Sequence, residues 1–152
     1  MGMGNGAART SFYTNGLRFG CVRCSRCCRH TPGYVFLSEQ DIEKLCAFLD
    51  IHRDEFYRSY CRQVPLGIVN RVSLTEKPNL DCVFWENDGC TVYAARPLQC
   101  RSFPFWSSSL SSKVRWKEVA RECPGIGAGQ VHSRGEIESW LRKRIEEALL
   151  EA

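Results

Sequence analysis

The sequence predicts an α+β fold: a small single domain in which short strands and a hairpin surround a cysteine-rich metal centre, with helices flanking it. Three observations carry that expectation. Four cysteines fall within eight residues as Cys21-Val22-Arg23-Cys24-Ser25-Arg26-Cys27-Cys28, a C-x-x-C-x-x-C-C run. Two β-like runs, residues 82–85 and 90–93, flank Glu86-Asn87-Asp88-Gly89, and Asp-Gly between such runs signals a hairpin. Apolar residues recur at helical spacing after Ser38 and again after Arg134.

Taken in order, residues 1–10 are Gly-rich, lack the apolar core of a secretory signal and are expected to be disordered, leaving 11–152 as the domain. Residues 11–20 mix Phe12, Tyr13 and Phe19 with the Asn15-Gly16 turn signal and deliver the chain to the cysteines. Residues 34–37 read as a short buried strand. Ser38 caps a helix with Asp41 at the capping-box distance, and Ile42, Leu45, Cys46 and Leu49 share its apolar face. A second helix over residues 53–62 turns Phe56, Tyr57 and Tyr60 towards the core. A strand over 68–74 lies among the breakers Pro65, Gly67 and Pro78.

Beyond the hairpin, residues 107–112 form a Ser-rich surface loop, and residues 113–120, with Val114 and Trp116 in alternation, read as an exposed strand. Gly125, Gly127 and Gly129 lack the G-x-G-x-x-G spacing of a phosphate loop, so a flexible loop is expected there. The chain ends in an amphipathic helix from Arg134, with Ile137, Trp140, Leu141, Ile145 and Leu149 facing the domain.

Ten cysteines without a signal point to metal binding or catalysis in a reducing, cytoplasmic setting rather than to disulfides. No apolar run approaches the roughly 18 residues of a membrane span, so no membrane partner is expected. The net charge is only +4, yet just five of the 21 basic residues are lysine. Arg18, Arg23, Arg26, Arg29, Arg96, Arg101 and Arg121 flank cysteines. Eight thiolates around two dications would leave a formal charge of roughly −4, which guanidinium groups offset. There is no Lys/Arg tract of the kind nucleic-acid binding uses, so nucleic acid is not an expected partner.

In a C-x-x-C turn two thiolates converge on one metal while backbone N–H groups point at the sulfurs. A third cysteine at the same interval resembles the ferredoxin run, which takes its fourth ligand from a distance. Adjacent side chains diverge on a strand or helix, so Cys27 and Cys28 are expected to face two centres, or one of them to be a packed thiol. Cys46 and Cys61 have no neighbouring cysteine and read as packed thiols. His30 reads as a solvated loop residue, and His52 and His132 as residues at helix starts.

The set formed by C-x-x-C-x-x-C-C, Cys82 with Cys90, R-P-L-x-C-R-x-F-P-F over residues 96–105, and Cys123-Pro124-Gly125 resembles a known family. It is the zinc- or iron-chelating domain family of YkgJ-type cysteine cluster proteins, and the resemblance runs from about Phe19 to Gly129. It implies chelation of a metal ion by Cys21, Cys24, Cys27, Cys28, Cys82, Cys90, Cys100 and Cys123. The flagellin lysine N-methylase group is similar in its cysteine motif, which implies an iron–sulfur centre. No methyl-donor fingerprint is present, and no substrate or reaction is legible.

Two functions stand open. In one, the eight cysteines hold an iron–sulfur cluster or zinc in a protein that is redox-active, with a protein or redox partner, or accessory to an enzyme. In the other, a structural zinc-binding module acts in protein or nucleic-acid interaction. Cys123-Pro124 resembles the remote Cys-Pro of ferredoxin runs, and Cys82 with Cys90 resembles a zinc-ribbon arm. Arg96, Arg101 and residues 103–105 are expected to line the thiolates and supply donors, charge and cover from water.

Overall fold

The computed structural model describes residues 11–29 and 32–152; residues 1–10 and His30, for which disorder and a solvated role are expected, lie outside the described residues. In chain order the described elements are β1 (Leu17–Phe19), α1 (Glu39–Leu49), α2 (Arg53–Tyr60), β2 (Cys61–Leu66), β3 (Val69–Leu74), β4 (Trp85–Glu86), β5 (Gly89–Cys90), α3 (Leu98–Ser102), α4 (Lys113–Glu122), β6 (Gln130–His132) and α5 (Arg134–Glu146). A 3-10 turn, Tyr93–Ala95, separates β5 from α3. The strands form three antiparallel ribbons: β1 with β6, β2 with β3, and β4 with β5. The α+β expectation holds. Among the described residues no helix is long and apolar enough to cross a membrane.

Local chemistry accounts for most of these boundaries. Ser38 and Asp41 form the expected capping box at α1, satisfying two otherwise orphaned N–H groups. Ser133 and Glu136 form a second one at α5. Gly67 (φ +68°) opens a two-residue turn between β2 and β3, where glycine first is the favoured hairpin choice. The hairpin of β4 and β5 is centred on Asn87 (φ +48°) and Asp88 (φ +64°), both left-handed, so the turn sits one residue ahead of the Asp-Gly pair.

Four expectations are corrected. Residues 113–120 are not a strand: Ser112 caps α4 by accepting from Arg115 N–H, and Trp116 and Val119 are buried three apart while Val114 is 68% exposed. The Val114/Trp116 alternation was half of a helical repeat. Residues 34–37 run extended beside β3 but do not form a continuous strand. Leu37 N–H donates to Val72 O and Leu74 N–H to Val35 O, while the Phe36 N–H donates to the Gln99 side chain. Within the Ser-rich loop Ser109 and Leu110 are buried, so it is not wholly surface. On α5, Ile137 is fully buried but Ile145 is 81% exposed, which narrows the apolar face.

The apolar side chains gather in two clusters. The first contains Leu37, Ile42, Leu45, Phe56, Val72, Leu74, Phe84 and Val92, with Cys46, Cys61, Cys82 and Cys90 packed against it. The second contains Phe105, Leu110, Trp116 and Ile137, with Phe19 and Ile126 at its edge. At about 1.5–3 kcal/mol for each fully buried side chain, the first is the stronger anchor.

Candidate metal centre

The C-x-x-C-x-x-C-C loop is strung between these two clusters. Arg23 (φ +53°) and Ser25 (φ +64°) are left-handed, whereas Val22, Cys24 and Arg26 are not. Such alternation turns successive N–H groups to one side, the geometry of anion-binding backbone nests. A turn follows, closed by Cys28 N–H donating to Ser25 O at 2.9 Å. Its tightness brings the Cys27 and Cys28 sulfurs to 3.8 Å, in place of the divergence expected for adjacent residues on a strand or helix. A tetrahedron with metal–sulfur bonds of about 2.3 Å has a sulfur–sulfur edge of about 3.8 Å, so this pair has the bite of a thiolate site.

The C-terminal end of the loop docks on the first cluster. Cys82 N–H donates to Cys28 O at 2.7 Å. Arg29 pairs with the buried Asp81 at 3.1 Å and lies 3.8 Å over the Trp85 ring. The β4–β5 hairpin then sets Cys90 opposite Trp85. Cys100 arrives on α3, a helix of five residues that is too short to hold itself. Asp41, 1% exposed, holds it: one carboxylate oxygen accepts from Ser38 N–H and the other from Leu98 N–H at 2.8 Å. Gln99 adds a donor to Tyr34 O and an acceptor for Phe36 N–H.

The N-terminal end docks differently, backbone on backbone. Gly20 N–H donates to Gly125 O at 3.0 Å, and Gly127 N–H to Arg18 O at 2.9 Å. A Cβ on Gly129 (φ +72°) would meet Gly20 Cα at 2.7 Å, and one on Gly125 would meet Gly20 O at 2.5 Å. These glycines are therefore a packed seam rather than the flexible loop expected. The seam seats Gly20, next to Cys21, against the segment that starts at Cys123, and Arg26 reaches Glu122 O at 3.4 Å.

The electrostatics divide the cysteines in the same way. Burial pushes the Cys82 thiol up, opposed by the Phe84 N–H aimed at its sulfur; burial also raises Cys90, opposed by the Val92 N–H and by Arg96. Cys100 is raised by burial and by the neighbouring Cys82, Cys27 and Cys90 charges, against the pull of Arg96. Cys123 is raised by burial and by Cys24 and Cys27, while the Gly125 and Ile126 N–H groups pull it down. Cys27 is lowered to about 7, first by the hydrogen bond with Cys28 and then, against burial, by its own backbone N–H and by Arg96; Cys28 is raised by the same bond. The Cys27 charge acts on Cys82, Cys90 and Cys100 and also on Cys123.

Cys46 and Cys61 behave otherwise. Burial raises both, Cys61 to about 12, and among the described residues no backbone N–H opposes it at either sulfur. A cavity of about 320 Å³ has Cys61 on its wall with Tyr57, Arg58 and Arg62, and no motif cysteine lines it.

Tyr93 ties the loop to the Cys90–Cys100 segment. Arg96 lies 3.6 Å and Arg23 3.9 Å from the ring centroid, and Arg96 Nε donates to Tyr93 O. Arg101 Nε donates to Arg96 O, and its buried Nη2 has no hydrogen-bond partner among the described residues. Phe105 turns instead into the second cluster, against Phe19, Trp116 and His132, so its ring does not provide the cover from water assigned to it. Cys21, Cys24 and Cys27 are exposed. Among the described residues no three His, Cys, Asp or Glu side chains converge closely enough to enclose an ion. The segments that carry the thiols are thus docked at the two loop ends, with the loop itself open. Sequence reasoning missed Asp41 as the anchor of α3, although its capping-box role was legible.

A family model, described as "CxxCxxCC: Putative zinc- or iron-chelating domain", matches residues 20–124 of the chain. The chain is also 27% identical over 134 residues to the Uncharacterized protein MJ0661 of Methanocaldococcus jannaschii, an alignment covering 84% of this chain and 68% of that protein. No solved structure matches.

Proposed function

The chain belongs to the zinc- or iron-chelating CxxCxxCC domain family, and from that premise we propose that its eight motif cysteines hold a thiolate-ligated centre, an iron–sulfur cluster or zinc. Cys28, Cys82, Cys90 and Cys100 form an inner group, Cys21, Cys24 and Cys123 an outer one, and Cys27 joins them. An iron–sulfur cluster there would supply one-electron chemistry, whereas zinc would supply a structural tie between loop and body.

One contrast carries the reading. Cys82, Cys90 and Cys123 each have backbone N–H groups aimed at the sulfur, from Phe84, from Val92, and from Gly125 and Ile126. Such donors favour a thiolate, the form that binds metal, and are wasted on a packed thiol. Cys46 and Cys61 lack them; Cys28 and Cys100 lack them too but stand within electrostatic reach of Cys27 and Cys82, as Cys46 and Cys61 do not. Iron in the outer group is favoured by a second observation. Cys123, followed by Pro124, feels the charges of Cys24 and Cys27, which supports the likeness of this Cys-Pro to the remote ligand of ferredoxin runs.

The test is metal analysis and an absorption spectrum of protein purified without oxygen. Iron with sulfide and a broad band near about 400 nm would identify a cluster; zinc without colour would identify the structural site. Serine at Cys24 or Cys100 should lower metal per chain, and serine at Cys46 should not. Unchanged metal in both of the first two variants would remove the assignment.

A further inference from the structure

We propose that Arg144 of α5 is a positioning residue for Cys100: its guanidinium offsets the buried Asp41 carboxylate that anchors the Cys100 helix. The inference rests on the metal reading above, and Arg144 lies beyond the segment that the family model matches.

The geometry starts from Asp41. Its carboxylate holds the first N–H of α3 and places a buried negative charge at the base of a helix carrying a ligand that must itself be negative. Buried like charges oppose one another's ionisation. A cavity of about 40 Å³ adjoins the carboxylate, walled by Ser38, Asp41, Leu98, Gln99, Arg144 and Glu147. It has room for a few waters and not for a small-molecule ligand.

Arg144 Nη1 is buried at this cavity without a hydrogen-bond partner among the described residues. The guanidinium lies 5.2 Å over the Trp106 ring, and Trp106 Nε1 in turn donates to Gln99 O and Ser102 Oγ on α3. Burial works against the charged guanidinium, and the Cys100 and Asp41 charges work for it. An unpaired buried guanidinium is costly. Here it shares a cavity wall with Asp41 and lies over the Trp106 ring that bonds to α3, and the Asp41 and Cys100 charges both favour its charged form.

Zinc competition against a chromophoric chelator tests this on wild type, Arg144→Met, Arg144→Lys and Arg134→Gln. Methionine keeps an apolar stem and removes the charge. Arg144→Met should bind zinc about tenfold more weakly, the lower end of what groups around metal ligands contribute. Arg144→Lys should restore most of that loss, and Arg134→Gln, at an exposed pair with Glu138, should match wild type. If Arg144→Met does not fold, Arg144→Gln carries the same comparison. Wild-type affinity in the neutral variant overturns the Arg144 role and leaves the metal reading standing. A folded wild type that takes up neither zinc nor iron overturns both.

Discussion

The inner and outer cysteines are held by different physics. Cys82 and Cys90 pack on the larger apolar cluster, and Cys100 hangs from a buried carboxylate. The segments that carry Cys21 and Cys123 meet at a glycine seam of backbone on backbone, beside the smaller cluster. The first arrangement draws on buried area and directed hydrogen bonds. The second draws on the absence of Cβ atoms, so any added atom disrupts it. A loop that spans both is a place where bound metal would couple two separately stabilised halves.

Removing the metal should therefore have the largest effect. Ligands that run from Cys21 to Cys123 make binding free energy into folding free energy, so chelation should cost more than about 5 kcal/mol of stability. Hydrogen exchange should then show the residue 123–132 segment and β1 opening before β2 and β3. Equal protection of the two halves in the chelated protein would break the comparison.

Next in size is the difference between two ligands. Cys100→Ser should weaken metal retention at least on the order of 100-fold, the upper end for groups that only surround a ligand. Cys21→Ser, at an exposed position, should weaken it less. Chelator competition on both variants decides, and a reversed order would mean that the outer group is the tighter one.

Two substitutions away from the thiols sharpen the division. Gly129→Ala forces a left-handed alanine and a Cβ at 2.7 Å from Gly20 Cα, at a cost of about 2 kcal/mol. Asp41→Asn turns one acceptor against an N–H that needs it, at a cost of about 1–3 kcal/mol. Urea midpoints give the costs, and alkylation mapped by mass spectrometry gives the location. Gly129→Ala should expose Cys123 and spare Cys100, and Asp41→Asn should do the converse.

The smallest effect concerns the packed thiols. Burial raises Cys61 from 9.0 to about 12, so the folded chain holds the neutral form where the unfolded chain ionises. Its contribution to stability is complete below about pH 9 and fades as pH rises towards 12. Below pH 9, Cys61 in the metal-free folded protein should resist iodoacetamide while exposed Cys24 reacts; equal rates would remove Cys61 from the packed class.

Much of this was legible because it is local. The Ser38/Asp41 capping box, the β4–β5 hairpin and the chemistry of the C-x-x-C-x-x-C-C run are settled by residues within ten positions of one another. Spacing separated Cys46 and Cys61 from the motif, and neither feels the charge of a motif cysteine, as Cys28 and Cys100 do. Alternation misled at residues 113–120, where Val114 is solvent-facing on a helix and only the second cluster shows which side of Trp116 is inside.

The sequence by itself determined which atoms are available as soft ligands and which short segments turn or coil, because those follow from side-chain type and from neighbours along the chain. Tertiary structure alone decided that Asp41 carries the Cys100 helix from 57 residues away, that Gly20 closes on Gly125 and Gly129, and that Arg144 shares a small cavity with Asp41. Each joins distant segments whose meeting depends on how two apolar clusters pack, and neither residue type nor periodicity encodes that distance.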